Sequence, residues 1–338
     1  MSAQSSAGTR TLSVPVRMLR DGALLIGAAI GTILGIGALT LAEGFWARSR
    51  LVPSDTASLS PPSGLFGQEH SGAPLNLALL GDSLAVGYGS DEPSDTVGVM
   101  LATGLAAAAG RPVQLSNVGR VGAESADLPA QLRSITRSGP APDVAVIIIG
   151  ANDVMHLKRL VDALQPLRAT VSELHRMGVE TVVATCPDLG TVRPFFQPLR
   201  FFAHWLSRLL ATSQTIVVLR AGGRTVSLAD TLGPLFHHDP TTMFSTLDHL
   251  HPSGLGYAQA ARVLLPSVRA AAGFPTSTDA AGHRIYRKGS RHPLAWLAFR
   301  ASRRTGMELR RVGGAEGATV GVERDAGGTE QEVPESVQ

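Results

Sequence analysis

A single cysteine, Cys186, is all that a chain of 338 residues contains. No intramolecular disulfide is available, and a cysteine-built metal cage is excluded. Cys186 follows the mostly apolar run 182–185, which reads as a buried thiol at a strand end; nothing beside it argues for a reactive thiolate. Aromatic side chains are scarce as well, at 5%. With 37 glycines and abundant alanine, that scarcity favours close helix–sheet packing over a barrel filled with bulky rings. No repeat of solenoid length is present, so a stacked-repeat architecture is excluded. Apolar residues reach 44% against 17% charged, enough material for a sizeable core and too much for global disorder.

The formal net charge is +3, but the positive charge is concentrated. Between Arg284 and Arg311 stand nine basic side chains against one acid, Glu308. The high isoelectric point therefore describes a C-terminal segment, and no nucleic-acid partner is indicated. Near the other end, residues 22–42 carry no charge. As a helix they would extend about 31 Å, the thickness of a bilayer's hydrocarbon core. Arg10, Arg17 and Arg20 precede the run, while Glu43, Arg48 and Arg50 follow it. The expected arrangement is a cytoplasmic N-terminus (1–21), a membrane anchor (22–42) and an exported remainder. The competing expectation is a signal segment cleaved after Thr40-Leu41-Ala42, leaving a secreted protein.

Residues 43–74, rich in Ser, Pro and Gly, read as a linker. Strand-like and helix-like patterns then alternate. Apolar, β-branched runs at 75–80, 113–115, 144–149, 181–185 and 225–228 predict buried strands. Helices are predicted at 97–109, 128–135, 159–177, 201–221 and 256–272, with Gly110, Gly178 and Gly273 as stops. The alternation predicts one three-layer α/β/α sandwich with a mainly parallel sheet over 75–275. Ligands of such sheets bind beyond the carboxyl ends of the strands. Beyond it lie a basic extension (276–312), whose stretch 292–307 is readable as an interfacial helix or as a helix docked on the domain, and a Gly- and acid-rich tail (313–338) expected to be disordered.

Four short segments carry chemistry. Gly81-Asp82-Ser83-Leu84 closes the first predicted strand, where Gly81 permits a tight exit and Ser83 stands at a turn into a helix. Asn117-Val118-Gly119-Arg120-Val121-Gly122 follows the second strand, with Gly122 able to offer a bare backbone N–H. Gly150-Ala151-Asn152-Asp153 follows the strongest strand, and the Asn152 amide can donate to a developing oxyanion. Asp248-His249-Leu250-His251-Pro252 precedes the last helix, with a carboxylate three residues ahead of a histidine. Singly, each is an ordinary turn or cap. Together they supply a nucleophile, a base, an orienting acid and oxyanion donors, the full set for acyl transfer. Asp153 reads as a helix-capping residue. His237-His238-Asp239 lacks a further ligand pair and reads as a surface loop, so no metal or other cofactor is expected.

In order and content these four blocks resemble the SGNH/GDSL hydrolase family, over residues 75–273, and the layout is similar to exported actinobacterial members. The resemblance implies a flavodoxin-like fold and hydrolysis through an acyl-serine without a metal. It implies Ser83 as nucleophile, His251 as general base and Asp248 as its partner. The oxyanion hole it implies comprises the Ser83 and Gly122 N–H groups and the Asn152 amide. Gly119 and His249 are the alternatives to Gly122 and His251. The expected substrate is an acyl ester, lipid or short-chain. The same machinery also fits an acyltransferase or a deacetylase of envelope glycan or glycolipid, and an inactive membrane-tethered binding module is the alternative of another class. Phe195 and Phe196, with Phe201 and Phe202, are candidates to line an acyl pocket or touch a lipid surface; packing of their loop onto the core is the competing reading.

Overall fold

The computed structural model describes residues 60–274 without a break, scattered helical positions between 31 and 42, and the backbone of three strands between 283 and 324. Most of the apolar run 22–42, the linker before residue 60 and much of the C-terminal extension and tail lie outside the described residues. Among the described residues, no helix is long and apolar enough to cross a membrane.

The chain opens with a short strand β1 (Gly64–Phe66), followed by β2 (Leu75–Gly81), α1 (Ser83–Val86), α2 (Val97–Ala109) and β3 (Val113–Asn117). Next come α3 (Leu128–Ser138), β4 (Val144–Ile148), α4 (Ala151–Met155), α5 (Leu160–Arg176), β5 (Glu180–Ala184), α6 (Leu199–Arg220) and β6 (Arg224–Val226). Three short helices, α7 (Leu228–Thr231), α8 (Gly233–His238) and α9 (Pro240–Met243), lead to α10 (Gly254–Ala271). Strands β7 (His283–Tyr286), β8 (Met307–Val312) and β9 (Thr319–Arg324) complete the sheet, whose order is β1-β3-β2-β4-β5-β6-β8-β9-β7.

Its centre, β3-β2-β4-β5-β6, is parallel throughout. In chain order those five strands run 2-1-3-4-5, the flavodoxin-like winding, and the winding reverses between β2 and β4. The outer strands pair antiparallel: β1 with β3, and β8 with β6 and β9. β1 falls inside the stretch read as linker, so the ordered domain begins before Leu75. Likewise β9 has strand backbone within the segment expected to be disordered. β1 is a three-residue edge strand with too few residues to show alternation, and β9, paired with β8 and β7, lies in a Gly- and acid-rich stretch whose composition does not signal a strand.

Alternation along the central strands divides the core. Leu77, Leu79, Val144, Val146 and Ile148 face one side with Leu101 and Leu105 of α2 and Leu264 and Val268 of α10. Ala78, Leu80, Ala145 and Ile147 face the other, against Leu128 and Leu132 of α3 and Leu167, Val171 and Leu174 of α5. The helices follow their sequence signals. α2 ends where Gly110 adopts a left-handed conformation, and α10 starts where the Ser253 hydroxyl accepts from Gly256 N–H. Both faces are needed because a parallel sheet buries its strands on two sides.

One contact sets the approach of β2 to β4 at the active edge. Gly81 has φ +142°, and a Cβ there would lie 1.9 Å from the Ile148 carbonyl oxygen. Gly81→Ala is therefore expected to destabilise the fold by about 3 kcal/mol or more, through backbone strain and a clash with main chain rather than a movable side chain. Gly139→Ala is the control: its backbone is extended, and nothing lies within 4 Å of the added methyl. Urea unfolding of both variants would measure the difference; equal stability would exclude the close approach.

Candidate active site

β2 delivers Ser83 to the first residue of α1, at the sheet's carboxyl edge. Asp82 caps that helix, its Oδ1 accepting from Leu84 N–H at 2.9 Å. From the loop before α10 comes His251, whose Nε2 lies 2.8 Å from Ser83 Oγ. Its Nδ1 lies 2.6 Å from Asp248 Oδ2. The other Asp248 oxygen accepts from the backbone N–H groups of Leu250 (2.9 Å) and His251 (3.0 Å), so one carboxylate fixes both the turn and the ring. Burial works against the Asp248 charge, but the hydrogen bonds and charge of His251 and the two backbone N–H groups outweigh it and hold its pKa below the ordinary carboxylate value. His249, the alternative base, has φ +54° and an exposed side chain, away from Ser83.

The donors expected for an oxyanion stand on two loops. Gly122 sits after β3 with φ +77°, and a Cβ there would meet nothing within 4 Å. Gly119 differs: its N–H is already donated to Asn117 Oδ1 at 3.0 Å, and a Cβ would press on Ala85. Asn152, in the first turn of α4, donates one amide hydrogen to the Ala123 carbonyl at 2.9 Å. That bond orients the amide and leaves its second hydrogen for a ligand. Backbone bonds from Asp82 N–H to the Ile148 carbonyl (3.0 Å) and from Arg120 N–H to the Gly81 carbonyl (3.1 Å) hold the turns after β2, β3 and β4 together.

Asp153 does not cap α4, whose N-terminus has no side-chain cap. It is buried and accepts from Ser125 Oγ at 2.8 Å and from Ser125 N–H at 3.2 Å, tying α4 to the Gly122 loop. Glu124 strengthens the tie, pairing with His156 Nδ1 at 2.5 Å and Lys158 Nζ at 2.9 Å.

Phe195 and Phe196 do not line a cavity beside Ser83. Phe195 is buried in the core and Phe196 is 61% exposed. An apolar cavity of about 70 Å³ is walled instead by Leu84, Leu232, Phe236, Phe244, Leu250 and Tyr257; Leu84 and Leu250 are chain neighbours of Ser83 and His251, but no triad residue lines it. The short helices α7 to α9 bring Phe236 and Phe244 there, and their irregular spacing left no periodic signal in the sequence. His237 and His238 are exposed at the end of α8. Among the described residues, no group of three or more potential metal ligands occurs. Cys186 is buried, and burial pushes its thiol pKa up.

This is a doubly wound α/β protein with a hydrogen-bonded Ser–His–Asp set at its topological switch point. The profile of the GDSL-like lipase/acylhydrolase family matches residues 79–259, and the chain belongs to that family. A GDSL-like esterase of Mycobacterium tuberculosis is 42% identical over 195 residues, 58% of this chain and 62% of that protein's length. Among solved structures, the acetylxylan esterase Axe2 from Geobacillus stearothermophilus aligns at 19% identity and a TM-score of 0.45, covering 61% of this chain and 98% of that one. A GDSL-like lipase from Parabacteroides merdae aligns at 17% and 0.43, covering 59% and 96%.

Several neighbours of the site carry no sequence signal of their own. Tyr88 meets the His251 ring edge-on at 4.7 Å, and its carbonyl accepts from the buried Tyr257 hydroxyl at 2.7 Å. Gln131 of α3 bonds both the N–H and the carbonyl of Gly81 at 2.8 Å, clamping the end of β2 from the opposite face. Asp82 is fully buried, and its Oδ2 has no hydrogen-bond partner. Desolvation by burial, against the backbone N–H of Leu84, raises its pKa to about 7.

The folded protein therefore binds a proton at Asp82 that the unfolded chain has already released between about pH 4 and pH 7. Stability contributed at this residue falls as pH rises through that window, by a few kcal/mol in order of magnitude. Asp82→Asn should remove this part of the slope. Urea unfolding of both proteins at pH 4.5, 6 and 8 checks it: the stability difference should shift in favour of the variant with rising pH, and a constant difference would exclude a raised Asp82 pKa.

Proposed function

We propose that the protein is an exported serine carboxylic-ester hydrolase that works through an acyl-serine intermediate, with Ser83, His251 and Asp248 as its triad. The observation that carries the reading is the unbroken run of contacts from Ser83 Oγ to His251 Nε2 (2.8 Å) and from His251 Nδ1 to Asp248 (2.6 Å). The family supports it, and so does the relative from M. tuberculosis, named an esterase, although the chain spans only 62% of that relative's length.

In the proposed mechanism Ser83 Oγ attacks the ester carbonyl carbon while its proton passes to His251 Nε2. The negative charge that develops on the carbonyl oxygen accepts from Ser83 N–H, Gly122 N–H and the second Asn152 amide hydrogen. Asp248 stabilises the imidazolium and holds its tautomer. Collapse breaks the carbon–oxygen bond to the alcohol, which leaves with the proton from His251. Water then gives a proton to His251 and its oxygen to the acyl carbon, releasing the acid and restoring Ser83. The uncharged run 22–42 and its arginine flank support a membrane anchor with the catalytic domain on the exported side.

Ser83→Ala should abolish hydrolysis of p-nitrophenyl acetate and butyrate without changing the unfolding midpoint, and His251→Ala should be nearly as damaging. His249→Ala should retain most activity; an exchange of those two outcomes would reassign the base. Asn152→Ala should lower kcat by about 10²–10³ with a smaller change in KM. A fluorophosphonate that labels the native chain but not the Ser83→Ala variant would mark the nucleophile; equal labelling of both would remove Ser83 from the mechanism.

A further inference from the structure

Tyr88 follows α1 after a single glycine. Its N–H donates to the Ser83 carbonyl at 3.0 Å. Its own carbonyl accepts at 2.7 Å from the hydroxyl of Tyr257, a fully buried side chain of α10. The main chain of Tyr88 is thus held twice, by the nucleophile's own peptide and by the helix that follows His251. The half-buried ring meets the His251 imidazole edge-on, with centroids 4.7 Å apart and planes at 70°. Paired rings favour that arrangement. The next residue, Gly89, brings backbone against the same loop: a Cβ there would lie 3.0 Å from His251 Cβ and 3.1 Å from the Pro252 carbonyl oxygen.

The two hydrogen bonds of His251 fix its nitrogens, Nε2 toward Ser83 Oγ and Nδ1 toward Asp248. Both are soft to tilting of the ring plane, because such bonds weaken steeply only below about 120°. A ring packed edge-on against the imidazole opposes that tilt. Burial, and then the charge of Asp248, raises the pKa of Tyr88, so the phenol stays neutral beside the Asp248–His251 pair. Ser83 and His251 stand 168 residues apart. Tyr88 is bonded to the first and packed on the second.

We propose that Tyr88 is a positioning residue of the hydrolase: it sets the tilt of the His251 ring relative to Ser83, and Tyr257 steadies it there. The proposal rests on the reading of His251 as general base. Proton transfer from Ser83 depends on how Nε2 faces Oγ. The contribution of Tyr88 therefore belongs to kcat and leaves uniform substrate binding little changed.

The test measures kcat and KM for p-nitrophenyl acetate, and the rate of fluorophosphonate labelling, in the full chain. Tyr88→Leu should lower kcat by about 10–10² with a much smaller change in KM, the loss expected when a reacting group is misplaced. Tyr88→Phe keeps the ring and should return kcat to within about twofold of native. Tyr257→Phe loses the bond to the Tyr88 carbonyl and should lower kcat by about threefold, with no further effect once Tyr88→Leu is present. In the His251→Ala background, Tyr88→Leu should change the labelling rate by less than about twofold, because the ring it positions is absent. An equal loss with and without the imidazole would overturn the proposal, since Tyr88 would then act on Ser83 or on the fold as a whole. So would a kcat that Tyr88→Leu leaves unchanged, or one that Tyr88→Phe fails to restore. If Tyr88→Leu does not fold, Tyr257→Phe carries the same comparison in the two backgrounds. A His251→Ala variant that hydrolyses as fast as the native chain overturns the base and the proposal together. A slow His251→Ala beside an unimpaired Tyr88→Leu overturns the proposal alone.

Discussion

The contact on which the site depends is the approach of β2 to β4 at their carboxyl ends. Gly81 lies opposite Ile148, and only a residue without a side chain fits there. Because the strands close to that distance, Ser83 and Asn152 leave the sheet from neighbouring positions and reach a common space. Two buried glutamines hold the geometry from the sides. Gln131 grips Gly81 by both its backbone groups, and Gln214 of α6 donates to the Ile149 carbonyl while accepting from Cys186 N–H. Each satisfies main-chain groups that the ends of a parallel sheet would otherwise leave buried and unpaired. The active edge is therefore stiff before any substrate arrives, and preorganisation of that kind is what oxyanion stabilisation requires.

Three aspartates near the edge show how environment separates their roles. Asp248 accepts from two backbone N–H groups and from His251, and its pKa stays low enough for it to remain charged beside the imidazole. Asp153 spends its acceptors on Ser125, and burial raises its pKa despite those bonds. Asp82 is wholly buried, with one oxygen unpartnered, and burial drives it furthest toward the neutral form. A second full charge at Asp82 would oppose the negative charge that develops on a reacting carbonyl next to Ser83.

Much of this was legible from the chain. Helix α2 is observed at Val97–Ala109, the expected span, because Ala-rich residues run directly into the left-handed stop at Gly110. The five parallel strands fall within a residue or two of their apolar runs, since burial on both faces makes such runs continuous. The Ser83 and Asp248–His251 segments, which the fold brings into hydrogen-bond contact, were readable because acyl transfer needs a nucleophile, a base and an orienting acid. Tyr88, Gln131 and Gln214 were not. Their roles depend on contacts between distant parts of the chain, and nothing local distinguishes them from other Tyr and Gln residues. Asp153 was misread for a related reason: its position at a helix start suggested a cap, whereas its partner, Ser125, is 28 residues away.

The aromatic loop allowed two readings, an acyl pocket or packing onto the core. Phe195 is packed in the core and Phe196 is exposed, so neither lines the apolar cavity walled by Leu232, Phe236 and Phe244. In the helix that follows, the outcome is set by phase. α6 buries residues at intervals of three and four, Ala203, Ser207, Leu210 and Gln214, and turns Phe201, Trp205 and Leu209 the other way. Aromatic residues beyond a strand therefore say little about the site until the phase of the helix that follows is known, because a turn of about 100° per residue decides which rings meet the core and which meet water.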